Sequence, residues 1–159
     1  MQDKDILHTI IQHLQQYNQT VATAESCTGG LLSALLTDIS GSSAWFRYGW
    51  VTYSNEAKNS CLHVPLDCLS KHGAVSDEVV KIMADNAREI AVADYAISIS
   101  GIAGPTGGSN EKPVGTVYFG ISTSQHTLSE KMLFSGSRNE IRKSAVEHAL
   151  YLLQNNLYQ

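Results

Sequence analysis

The chain has 159 residues, 11 Lys and Arg against 15 Asp and Glu, and a formal charge of −4, which fits one domain over 1–159 and argues against a nucleic-acid partner bound by phosphate neutralisation. Charged residues make up only 16%, against roughly 25% in an ordinary chain, and 18 Ser with 10 Thr fill the gap. A hydrophobic content of 43% excludes wholesale disorder, while no apolar run approaches the ~20 residues of a membrane span.

In chain order, Ile6, Ile10, Leu14 and Tyr17 recur at helical spacing and predict an amphipathic helix over 3–17. The run T-V-A-T-A over 20–24 predicts a strand. E-S-C-T-G-G follows, and Leu31, Leu32, Leu35, Leu36 and Ile39 then predict a helix closed by Gly41-Ser42-Ser43. Aromatic and β-branched residues over 48–53 predict a second strand. Ser54 is placed to cap a short helix carrying Glu56, Ala57 and Lys58. Residues 63–73, interrupted by Pro65, read as an irregular connection. Ser76, followed by Asp77 and Glu78, begins a helix built on Val79, Met83, Ala87 and Ile90. A strand over 95–100 leads into a Gly- and Pro-rich loop over 101–113. Two strands, 114–122 and 127–134, suggest a hairpin, and a helix over 139–155 presents Ile141, Ala145, Ala149 and Leu152. Early alternation of strands and helices with a late strand pair predicts an α/β fold, a mixed sheet covered on both faces.

Three segments carry candidate chemistry. E-S-C-T-G-G enters a helix N-terminus, where backbone N–H groups and the helix dipole favour an anion. It presents Ser26 and Cys27 to those donors, or else it is a plain strand-to-helix turn capped by Thr28. The second segment, S-G-I-A-G-P-T-G-G-S-N-E-K-P-V-G, is neither a Walker A nor a dinucleotide fingerprint. It reads as a ligand cradle at a strand end or as a mobile connection. The third is Y-S-N-E-A-K. Its Lys58 is either solvated or, in a partly apolar site, a neutral base for a Ser hydroxyl. Arg138 and Arg142, four residues apart, make a solvated face or offer a guanidinium to phosphate. Cys27, Cys61 and Cys68 lack C-x-x-C spacing and the six histidines lack H-E-x-x-H, so no metal site is expected. Free thiols and an opening M-Q-D-K-D without a signal pattern suggest a cytoplasmic protein.

The stretches A-E-S-C-T-G-G (24–30), G-S-S-A-W-F (41–46), G-W-V-T-Y-S-N-E-A-K (49–58), H-G-A-V-S (72–76), D-Y-A-I-S-I-S-G-I-A-G-P-T-G-G (94–108) and E-K-P-V-G-T-V-Y-F-G (111–120) together resemble one family. It is the CinA C-terminal domain family, in its stand-alone nicotinamide-nucleotide amidase form. The molybdopterin-binding-like domain that precedes it in full-length CinA proteins is not expected in this chain. The resemblance implies a three-layer α/β/α sandwich with a mixed, mainly parallel sheet of about five to six strands. It also implies hydrolysis of the carboxamide of nicotinamide mononucleotide to nicotinic acid mononucleotide and ammonia, in pyridine nucleotide recycling.

On that footing Ser26 is the expected nucleophile, Lys58 its base and Tyr53 a positioning or relay group. Backbone N–H groups around Thr28, Gly29 and Gly30 are expected to hold the oxyanion. Gly104, Pro105, Thr106, Gly107 and Gly108, with Arg138, are expected to bind the nucleotide. No cofactor is implied. The partner is a small-molecule nucleotide rather than nucleic acid or membrane, and a homo-oligomer is expected. Two rival readings are a regulatory domain that binds pyridine nucleotide without turnover and a thiol hydrolase using Cys27. The chain departs from the family pattern twice. It has Leu62-His63-Val64 where Leu-Gly-Val is common, and Gly136-Ser137-Arg138 where Gly-Asp-Arg is common.

Overall fold

A computed structural model describes residues 3–158. Five strands form one sheet: β1 (Val21–Glu25), β2 (Phe46–Val51), β3 (Tyr95–Gly101), β4 (Thr116–Thr123) and β5 (Thr127–Leu133). Their spatial order is β2-β1-β3-β4-β5. β1 is parallel to both neighbours, β4 is antiparallel to β3, and β5 is antiparallel to β4. Only β4 therefore runs against the rest, so the expected mixed sheet has five strands.

Side-chain alternation assigns each face its helices. Tyr95, Ile97 and Ile99 of β3 and Val117, Phe119 and Ile121 of β4 point to one side. There they meet α1 (Asp3–Gln16), α2 (Leu31–Leu36) and α6 (Arg138–Asn155) through residues such as Ile10, Leu14, Leu36, Ile141 and Ala149. The opposite face is small: Ala22, Ala24, Ala96, Ser98 and Gly120. It receives α3 (Asn55–Leu62), α4 (Leu66–His72) and α5 (Asp77–Ala91). At Gly120 a Cβ would collide with Ser98 Oγ and with the Val80 carbonyl of α5. The Ser98 hydroxyl donates to that same carbonyl. Small residues thus let α5 lie close against the sheet centre.

Several helix starts follow their sequence signals. Ser54 and Ser76 cap α3 and α5, accepting from the N–H groups of Ala57 and Val79. Ser137 caps α6 in a reciprocal box with Glu140, so a hydroxyl does the capping where the family commonly has a carboxylate.

Other expectations change. α2 stops at Leu36, short of Ile39 and of the expected close at Gly41-Ser42-Ser43. The region over 63–73 is not irregular: it contains α4, opened by Pro65 and closed by Gly73, the usual asymmetry of helix ends. β2 begins two residues earlier than expected and ends at Val51; the Thr52 N–H still donates to the Glu25 carbonyl of β1, and Tyr53 lies beyond the strand. Ile90, expected on the buried stripe of α5, is 41% exposed, in the last turn of the helix before its C-cap Val92.

Candidate active site

The carboxyl ends of parallel β1 and β3 mark a switch point, since the chain leaves β1 for β2 on one side and returns beyond β1 to β3. Open α/β sheets bind ligands at such places. A cleft of about 280 Å³ lies there. Ser26, the first residue after β1, is anchored by its N–H to the Ile99 carbonyl and lines the cleft beside Lys58.

Lys58 Nζ lies 2.9 Å from Ser26 Oγ and 2.8 Å from the Thr52 carbonyl. The side chain is 1% exposed although α3 is otherwise polar. Burial lowers its pKa to about 8, offset in part by the neighbouring Cys27. An amine so placed is neutral for part of the population near neutrality and can accept the serine proton. Burial acts oppositely on Cys27, raising its thiol to about 11, whereas a thiolate nucleophile needs a lowered pKa.

The turn after Ser26 is built differently from the expectation of a free helix N-terminus. The buried Glu25 carboxylate fills that position, accepting from the N–H groups of Gly30, Leu32 and Ser33 and from the Ser33 hydroxyl. Thr28 does not cap α2; its Oγ1 is buried without a partner, as is Thr52 Oγ1. The Gly29 N–H is spent on the Ser26 carbonyl and that of Gly30 on Glu25. Among the described residues no hydrogen bond takes up the N–H of Cys27 or of Thr28, so the available donors sit closer to Ser26 than the glycines.

The opposite wall comes from the loop after β3, where Gly104, Thr106 and Gly107 line the cleft while Pro105 and Gly108 do not. Gly104 has φ +75°, and a Cβ there would strike Val114, so only glycine fits this bend. Arg138 reaches across the mouth, donating to the Gly104 carbonyl at 2.8 Å and to the Tyr53 hydroxyl at 2.9 Å. Both partners are neutral, and among the described residues no carboxylate pairs with Arg138. Tyr53 is 60% exposed and hydrogen-bonds Arg138, making no hydrogen bond to Ser26 or Lys58. Its place is at the rim.

Asn55 and the Ala74-Val75 segment also line the cleft. Sequence reasoning missed them: Asn55 lies in the first turn of the Ser54-capped helix, and the segment follows the unpredicted α4. Arg142 also belongs to the surroundings, donating to the carbonyls of Cys27 and Thr28. No group of three or more His, Cys, Asp or Glu that could hold a metal ion forms among the described residues, and no helix among them is long and apolar enough to cross a membrane.

Residues 3–157 match the family model of the CinA C-terminal domain. The chain is 52% identical over 149 residues to the nicotinamide-nucleotide amidohydrolase PncC of Escherichia coli (strain K12), covering 93% of this chain and 90% of that protein. It is 48% identical to a putative competence-damage inducible protein of Caldanaerobacter subterraneus, spanning 98% of this chain but 38% of that longer relative. Among solved structures, the competence/damage inducible protein CihA of Agrobacterium tumefaciens superposes with a TM-score of 0.93 at 40% identity, covering 97% of this chain and 96% of that one. The competence damage-inducible protein A (ComA) of Klebsiella pneumoniae gives 0.94 at 35% identity, covering 98% and 97%. With a family model matched from end to end of the described fold, the chain belongs to the CinA C-terminal domain family.

Proposed function

We propose that this chain is a nicotinamide-nucleotide amidohydrolase that cleaves the carboxamide of nicotinamide mononucleotide through Ser26. The observation that carries the mechanism is the 2.9 Å contact between Ser26 Oγ and the buried Lys58 amine. The name of the Escherichia coli relative supplies the substrate.

In its neutral form Lys58 accepts the Ser26 proton as Oγ attacks the amide carbon. Negative charge develops on the amide oxygen, for which the N–H groups of Cys27 and Thr28 are the backbone donors left unspent in the turn. Lys58 returns its proton to the departing nitrogen, and ammonia leaves with the C–N electron pair. Water then adds to the acyl-enzyme, giving its proton to Lys58. Collapse frees the nicotinic acid nucleotide and reprotonates Ser26. The Thr52 carbonyl holds the amine on the serine side throughout these transfers.

Arg138 is our choice for the substrate phosphate. Its charge is countered by no acid among the described residues, and it stands between Tyr53 and the glycine loop at the mouth. Contacts to ribose and phosphate position the amide against Ser26. The cytoplasm, where free Cys27, Cys61 and Cys68 stay reduced, suits the enzyme.

Ammonia release from purified protein tests the reading. Nicotinamide mononucleotide should react much faster than free nicotinamide, and treatment with EDTA should leave the rate intact. Equal rates on the two amides would reject the nucleotide substrate. Tight nucleotide binding with no ammonia would make the domain a regulatory binder.

A further inference from the structure

Arg142 makes two hydrogen bonds that the chemistry above leaves unused. Its Nε donates to the Cys27 carbonyl at 3.0 Å and its Nη2 to the Thr28 carbonyl at 3.2 Å. The residue projects from α6, more than a hundred positions away in the chain, and its guanidinium lies against Gly29, which has φ +60°. Its flank faces a groove shared with Leu31, Leu35 and Val146. Among the described residues no carboxylate pairs with it.

The first carbonyl belongs to the same peptide plane as the Thr28 N–H. In a trans peptide the C=O and N–H point in opposite directions. A cation held on the Cys27 oxygen therefore fixes the plane with the Thr28 N–H directed away from α6. It also draws electron density toward that oxygen, which strengthens the N–H as a donor. The second bond orients the next peptide, whose Gly29 N–H closes the turn on the Ser26 carbonyl. A planar fork that takes two successive carbonyls sets both peptides at once, which an ammonium cannot do.

We infer that Arg142 is a positioning residue for the oxyanion donor: it orients and polarises the Cys27–Thr28 peptide so that the Thr28 N–H stabilises charge developing on the substrate oxygen. This rests on the amidohydrolase reading and adds to it a residue that touches neither substrate nor nucleophile. Because the donor acts on charge that appears only in the transition state, its loss lowers kcat more than it alters KM.

The test compares Arg142→Met, Arg142→Lys and Lys143→Met with the unmodified protein on nicotinamide mononucleotide. Arg142→Met should lower kcat about 10- to 100-fold, somewhat below the effect of deleting an oxyanion donor outright. KM should stay within about twofold, and the pH midpoint should remain with Lys58. Arg142→Lys should recover part of the loss, and Lys143→Met, on the same helix, should lose nothing. Unchanged kcat in Arg142→Met overturns the inference. So does a loss accompanied by a moved pH midpoint, which would mean that the turn had carried Ser26 away from Lys58. If Arg142→Met does not fold, Arg142→Lys decides alone, and full kcat there is a refutation. If the unmodified protein releases no ammonia, the amidohydrolase reading fails instead. The rate at which a fluorophosphonate labels Ser26, read by mass spectrometry, then decides: slower labelling of Arg142→Met supports the inference and equal labelling overturns it.

Discussion

The Glu25 carboxylate is locked onto Ser33, accepting both its backbone N–H and its hydroxyl at 2.8 Å. With Gly30 and Leu32 also donating to it, a side chain from the end of β1 closes the first turn of α2. The residue between that strand end and the turn is Ser26, so the cap sets the direction in which the chain leaves the sheet. Glu25→Ala should cost roughly 2–3 kcal/mol, since it removes a cap and strands buried donors. In a domain of this size that is about 5–10 °C in melting temperature, which calorimetry resolves. A change under about 1 °C would show that water replaces the carboxylate.

Neighbouring Ser26 and Cys27 separate cleanly. Ser26→Ala should abolish ammonia release with little change in melting temperature, because a single hydroxyl is lost. Cys27→Ala should keep most of the activity. Burial holds the Cys27 thiol at about 11, so at pH 8 iodoacetamide should modify the exposed Cys61 long before Cys27. Rapid alkylation of Cys27 together with loss of turnover would move the nucleophile to sulfur.

His63 ends α3 with φ 56° and ψ 31°, the left-handed conformation in which glycine is preferred. The family's common glycine at this place is thereby explained, and the exposed histidine carries backbone strain. His63→Gly should raise stability by roughly 0.5–1 kcal/mol in urea unfolding and leave ammonia release unchanged. A loss of stability would mean that the imidazole makes a compensating interaction.

Much of this architecture was legible from residue patterns. β3 and β4 are buried along nearly their whole length and carry Ala96, Ile97 and Ile99 and Val117, Phe119 and Ile121, and α5 and α6 carry clear helical stripes. β2 was displaced because an edge strand exposed on both faces has no alternation to register it. α4 escaped because seven residues are too few for periodicity, though Pro65 and Gly73 bracketed it. The site was nominated mainly by its resemblance to a family. Residue spacing left Lys58 between a solvated and a buried state, because α3 is otherwise rich in Asn, Glu and Ser. Only packing reveals that the amine turns inward. Nor could spacing show that Glu25 fills the α2 terminus or that Arg142 returns to the same turn, since both depend on how α6 and α2 settle on the sheet.

Burying the Lys58 amine has a consequence for stability that pH exposes. Its folded pKa, about 8, lies below the ~10.4 of a free lysine. Between those values the unfolded chain binds more protons, so stability rises with pH across that window. Cys27 works in the other direction, its contribution being lost as pH rises from about 9 through about 11. In the difference between the unmodified protein and Lys58→Met most of the Cys27 contribution drops out. Lys58→Met should therefore lose ground relative to the unmodified protein as pH climbs from 7.5 to 9.5, roughly in that pH range. Parallel stability curves from urea titrations would mean that the amine is solvated.

We propose Lys58, neutral and in contact with Ser26, as the base. The pH dependence of ammonia release from nicotinamide mononucleotide, measured for the unmodified protein and for Lys58→Met, tests it most directly. The rate should rise with pH to a plateau, with its midpoint near 8, because only the unprotonated amine accepts the serine proton. Turnover should fall by about 10² or more in Lys58→Met, with the rise through that midpoint abolished. Near-native turnover in Lys58→Met, with the same pH profile as the unmodified protein, would contradict it.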